Sequence, residues 1–135
     1  MRIAFIITAH NDPEHLRRMT DALPASADYY VHVDAKSDLS AFESVTDNPR
    51  VHFTKKRINV MWGSLGVVDS QMAAVAEALE SGKEYDYYIS ASGLDYPLWS
   101  NDRIEEFLNS HKGTNFIYGV DMEDQGSQSK LYRQY

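Results

Sequence analysis

The chain of 135 residues contains no cysteine. Disulfides, thiol catalysis and zinc–thiolate centres are therefore excluded. Long apolar runs are also missing. Ile3 to Ile7 is a run of five, against the roughly 7–15 residues of a signal h-region and the ~20 of a membrane span. The expectation is a soluble chain, cytoplasmic or peripheral to a membrane. Positive charge is scarce. Thirteen Lys and Arg stand against 20 Asp and Glu, for a net charge of −7. Such a chain has no general attraction for nucleic acid or anionic lipid, and no nucleic-acid partner is expected. Only Lys55-Lys56-Arg57 is a basic cluster. Glycine-rich phosphate loops of the dinucleotide or Walker kind are absent.

The residues that are present alternate between two periods. Arg2 to Thr8 is a continuous, β-branched apolar run, as expected of a strand buried on both faces. Asp12-Pro13 is a helix start, followed by Leu16, Met19, Ala22 and Leu23 at helical spacing. Tyr29 to Asp34 reads as a second strand. A short helix through Leu39, Phe42 and Val45 and a third strand over 51–54 come next. Leu65, Val68, Met72, Val75, Ala76 and Leu79 share one face of a long helix, which predicts that this face packs on the core. Tyr85 to Ser92 is a fourth strand, a helix carries Ile104, Phe107 and Leu108, and 115–118 reads as a fifth strand. The alternation predicts a three-layer α/β sandwich on a mainly parallel sheet. Residues 1–118 form this portion and 119–135 an irregular tail.

Ligands of such sheets bind outside the carboxyl ends of the strands, so the strand-end residues carry the functional reading. Asp34 closes the second strand, where a carboxylate can accept from a ribose hydroxyl or a uracil N–H; a turn aspartate is the equal alternative. His32, two residues earlier, reads first as a core histidine with a satisfied hydrogen bond. His10 ends the first strand. Lys55-Lys56-Arg57 can hold a diphosphate, but a solvated face is the first reading. Trp62 offers a stacking surface and Gly63 lets backbone approach a ligand, with a helix staple packed into the core as the equal alternative. Asp95 sits in a Gly-Leu-Asp-Tyr-Pro loop, where by itself it reads first as an ordinary turn aspartate. No Asp-x-Asp pair occurs, so no carboxylate couple is in place to hold a divalent ion against a diphosphate. No metal and no other cofactor is expected.

Four ordered blocks resemble one family. They are Ile6-Ile7-Thr8-Ala9-His10, His32-Val33-Asp34-Ala35-Lys36-Ser37, Trp62-Gly63-Ser64 before a long helix, and Ser90-Ala91-Ser92-Gly93-Leu94-Asp95-Tyr96-Pro97-Leu98-Trp99-Ser100-Asn101. In this order and spacing they resemble the core-2/I-branching β-1,6-N-acetylglucosaminyltransferases, a group that includes the peptide O-xylosyltransferases. The resemblance implies a GT-A-like, Rossmann-type fold. It also implies inverting, metal-independent transfer of N-acetylglucosamine or xylose from a UDP-sugar to a hydroxyl of a glycan or related acceptor. It places Ala9, His10, Asp34, Trp62 and Gly63 around the uridine, and Ser92, Gly93 and Asp95 near the ribose–diphosphate and sugar. Met61 stands where many relatives carry a basic residue.

The family's catalytic Glu and its diphosphate-neutralising cations belong to the second half of the domain. They are expected beyond Tyr135, which makes these residues the donor-binding portion of a longer or truncated transferase. The sheet is then incomplete, and its open edge predicts self-association. The competing readings are a non-catalytic nucleotide or nucleotide-sugar module and a phosphoacceptor signalling module. The latter needs acidic residues where Thr8-Ala9-His10 and Thr54-Lys55 stand.

Overall fold

The computed structural model describes residues 1–118. The expected tail over 119–135 lies outside them. The elements are β1 (Ile3–Ala9), α1 (Pro13–Ala22), β2 (Asp28–Val33), α2 (Leu39–Val45), β3 (Val51–Phe53), α3 (Gly66–Glu80), β4 (Tyr87–Ser92) and α4 (Asn101–Ser110). The strands form one parallel sheet in the order β3-β2-β1-β4. This is the expected α/β class. Because β1 has β2 on one side and β4 on the other, the strand order reverses at β1. Crevices open at the carboxyl ends of the strands at such a point.

Two clusters hold the layers together. On one face, Phe5, Tyr29, Val31 and Val33 pack with Leu16 and Met19 of α1, Phe42 of α2 and Leu108 of α4. On the other, Ala4, Ile6 and Tyr30 meet Ala74 and Ala78 of α3. The first helix starts as the sequence predicts: Pro13 occupies the first turn and the Asp12 carboxylate accepts the His15 N–H at 3.0 Å. Asp12 adopts a left-handed φ of 49° to do so, a conformation that aspartate tolerates better than most residues.

Two expectations are corrected. The apolar face predicted to bury α3 is not the buried one. Ser70, Ala73, Ala74 and Ala78 face the sheet, while Leu65, Val68, Met72 and Leu79 are exposed. Tyr30 and Tyr85 already fill the space above β2 and β1. The helix closes on them through its small residues, and its bulky stripe turns outward. The second correction concerns residues 115–118, which form no strand. Phe116 instead packs its ring against Phe107, His111 and Tyr87. Ring contacts with the α4 layer thus hold this segment in place of ladder hydrogen bonds to β4.

Candidate functional site

A cleft of about 400 Å³ opens at the carboxyl ends of β1, β2 and β4. Thr8, Ala9 and His10 line it from β1, and His32, Asp34 and Lys36 from β2. Ser92 comes from β4, Val60 and Trp62 from the loop before α3, and Val67 and Ser70 from α3 itself. Of the eight residues singled out in the sequence, Ala9, His10, Asp34, Trp62 and Ser92 meet here. Gly63, Gly93 and Asp95 do not line the cleft and act on the backbone around it.

Asp34 is held by its own turn. Its N–H donates to the Ala9 carbonyl at 2.9 Å, tying β2 to β1 at the cleft floor. Its Oδ1 accepts the Lys36 N–H at 2.9 Å and its Oδ2 accepts from Lys36 Nζ at 3.1 Å. Burial works to raise the Asp34 carboxyl, but these bonds from Lys36 outweigh it and hold the pKa below the ordinary value. Lys36 Nζ also donates to Asn59 Oδ1 at 3.0 Å and to the Val60 carbonyl. One ammonium group therefore joins the β2 turn to the loop that carries Trp62.

His32 is buried, and its Nε2 accepts the Ile58 N–H at 2.8 Å. Burial is the main cause that lowers its pKa, against the opposing pull of Asp34. The imidazole is therefore neutral and pins the same loop from below, in keeping with its first reading as a satisfied core histidine. Arg57 differs from the expectation for its cluster. It donates through Nε to the Val33 carbonyl at 3.1 Å, and through Nη2 to the carbonyls of Asp34 at 2.6 Å and Ser37 at 2.5 Å. It braces the β2 turn and does not line the cleft. Lys55 and Lys56 are solvated, as their first reading held.

Trp62 stands fully exposed at the mouth, one residue before Gly63, whose φ of 71° turns the chain into α3. On the opposite wall the Ser92-to-Tyr96 loop is fixed internally. Asp95 Oδ2 accepts the Ser92 N–H at 2.7 Å, and the Asp95 carbonyl contacts His15 Nε2 at 3.1 Å. Gly93 donates to the Thr8 carbonyl at 2.8 Å. A Cβ at Gly93 would lie 2.8 Å from that of Ala9, so glycine is needed for loop and β1 to touch. Asp95 faces a separate apolar hollow with Phe5, Met19 and Tyr96.

Sequence reasoning left Lys36, Thr8 and Ser70 outside the candidate set. Lys36 carried a usable signal, since a cation two residues after a strand-end aspartate can close back on it. Ser70 carried none, because the α3 face was assigned to the opposite side. Among the described residues no three His, Cys, Asp or Glu side chains converge as a metal-binding group. No helix among them is long and apolar enough to cross a membrane.

The class defined by fold and site is a parallel α/β protein with a cleft at the carboxyl ends of its strands. Beyond the class, the chain belongs to the Core-2/I-Branching enzyme family, whose pattern matches residues 3–134. It is 28% identical over 130 residues to the xylosyltransferase oxt of Drosophila melanogaster, covering 93% of this chain and 15% of that one. It is 30% identical over 125 residues to xylosyltransferase 1 of Rattus norvegicus, covering 87% and 15%. It is 25% identical over 130 residues to a xylosyltransferase of Ciona intestinalis, covering 93% and 15%. The chain thus spans about one seventh of the length of these curated relatives.

Proposed function

We propose that these residues are the donor-binding portion of an inverting glycosyltransferase that holds a UDP-sugar in the strand-end cleft. The observation that carries the reading is the cleft itself: Trp62 at its mouth, and the Asp34–Lys36 turn on its floor, tied to the Trp62 loop. A uracil ring stacks on the exposed indole, and ring and ribose hydroxyls or N–H groups donate to the lone pairs that Lys36 leaves free on Asp34. The backbone of Ala9 and His10 supplies the adjacent wall.

In the transfer, the acceptor hydroxyl oxygen bonds to the anomeric carbon as the bond to the β-phosphate oxygen breaks. UDP departs, and the hydroxyl proton passes to a general base. The donor sugar is N-acetylglucosamine or xylose, and the xylosyltransferase names of the relatives weight it toward xylose. The acceptor is a hydroxyl of a glycan or protein. The missing Asp-x-Asp supports a donor site that works without metal.

One observation favours the second reading, a nucleotide-binding module without turnover, for this stretch of chain. Asp34 is the carboxylate that lines the cleft among the described residues, and Lys36 and burial occupy it. It is poorly placed to receive a proton. Calorimetric titration of UDP, UDP-N-acetylglucosamine and UDP-xylose, with and without chelator, tests both readings. Saturable UDP binding unaffected by chelator is expected, with about tenfold weaker binding by Trp62→Ala, the scale of one base–aromatic stack. Absence of UDP binding contradicts the donor-site reading. Loss of binding on chelation contradicts its metal independence. Transfer by the 135-residue chain alone would overturn the second reading.

A further inference from the structure

The loop between β3 and α3 brings Val60 and Trp62 to the cleft. From Ile58 to Met61 it belongs to no helix or strand, so side chains and the neighbouring turn must hold it. Ala35 N–H donates to the Ile58 carbonyl at 3.0 Å. Lys36 Nζ reaches Asn59 Oδ1 and the Val60 carbonyl. The Ile58 N–H donates to His32 Nε2 at 2.8 Å. Of these anchors, the imidazole is the one whose ordinary pKa lies in the neutral range.

The bond to Ile58 fixes the state of the ring. A backbone N–H can only donate, so Nε2 is a bare acceptor and the ring proton sits on Nδ1. A second proton on Nε2 would set two donors face to face, and the Ile58 N–H would lose its acceptor. The charges around the ring are few. Burial lowers its pKa most, Asp34 on its own strand raises it, and Arg57 in the loop lowers it again. Lys36 after β2 and His10 at the end of β1 line the same cleft. α3 lines it with Val67 and Ser70 and β4 with Ser92, none of which titrates.

We infer that His32 is a positioning residue for the donor: its neutral ring holds the loop that carries Trp62 to the cleft, and a proton on Nε2 releases that loop, so donor affinity falls as His32 becomes charged. This rests on the donor-site reading above and adds proton-linked control of that site. Such coupling is reciprocal. A bound donor holds the loop in place and must lower the His32 pKa further.

The probe is UDP-xylose, which has no terminal phosphate to titrate near pH 6. Calorimetry from about pH 7.5 down to about pH 5 should give a constant Kd at the upper end. Below the His32 pKa, binding should weaken with a slope that steepens toward about tenfold per pH unit. His10→Gln should keep this fall, since a charge on His10 would draw the anionic donor in and act in the opposite sense. His32→Gln keeps an acceptor for the Ile58 N–H but does not titrate, and should flatten the profile. NMR of the wild-type chain gives a readout that needs no variant. The Ile58 amide signal should move with the His32 ring titration, and the ring should titrate at lower pH with UDP-xylose bound. No binding of UDP-xylose near pH 7.5 would overturn the donor-site reading and this inference with it. Binding equally tight at both ends of the range, a fall that survives His32→Gln, or a His32 titration unmoved by the donor would each overturn this inference alone.

Discussion

β2 begins with one buried aspartate and is followed by another. Asp28 is 5% exposed and Asp34 is 6% exposed, and both carboxyls sit below their ordinary pKa although burial opposes this in each. Their surroundings differ. Asp28, at the amino end of the sheet, accepts from Lys83 Nζ and the Tyr85 hydroxyl at 2.9 Å each. Arg50 lies at 3.7 Å and His52 at 3.6 Å. Four side chains from two parts of the chain close over it, Arg50 and His52 around the start of β3 and Lys83 and Tyr85 from the loop before β4. Asp34, at the carboxyl end, is met by a single side chain, Lys36, and a cleft opens beside it. A buried carboxylate enclosed by several partners locks the sheet. One served mainly by its own turn leaves the space beside it open.

Replacements at the two ends should separate these roles. Asp28→Ala is expected to have the largest effect on stability. It removes charged hydrogen bonds worth about 1.5–3 kcal/mol, but Lys83 and Arg50 are half-exposed and water takes up their charges. A loss of about 2–3 kcal/mol in denaturant unfolding, with unchanged UDP affinity, is the expected outcome. Gly93→Ala comes next, at roughly 1–3 kcal/mol, because the new methyl meets the fixed Cβ of Ala9. Lys36→Met should cost about 1 kcal/mol and weaken UDP binding more than stability, since it frees the Trp62 loop. Trp62→Ala should leave the unfolding midpoint within about 0.5 kcal/mol, so any effect it has belongs to the ligand.

The acid limb of stability sharpens the contrast further. His32 is lowered from 6.5, so the unfolded chain takes up its proton first as pH falls. Its contribution is complete above 6.5 and is lost below it. The two aspartates are lowered from 3.8. Their contribution is complete above that value and is lost as pH falls through their folded values. Unfolding midpoints measured against pH should therefore fall in two stages, and His32→Gln should abolish the upper one.

Much of the fold was legible because its signals are local. The apolar run of β1, the Asp12-Pro13 start of α1 and the strand-ending Asp34 are each written within a few residues. The face of α3 was not, because small and large residues compete for burial there and Tyr30 of β2 and Tyr85 of the loop before β4, distant from each other in sequence, decide the outcome. The same holds for 115–118, where Phe116 answers to rings on α4. In the site, the residues converging on the cleft were readable from the strand-end rule. The separation of Asp34 from Asp95 was not: both look like loop aspartates, and only the hydrogen bond from Ser92 turns Asp95 away.

We propose that the Asp34 end of β2 is the donor site and the Asp28 end is a structural lock. The direct measurement is UDP affinity by calorimetry for the wild-type chain, Asp34→Asn and Asp28→Asn, each first shown to be folded at the temperature used. Binding at least about tenfold weaker is expected for Asp34→Asn, the scale of a lost charged hydrogen bond, with wild-type affinity for Asp28→Asn. Equal affinities in all three, or a loss confined to Asp28→Asn, would contradict it.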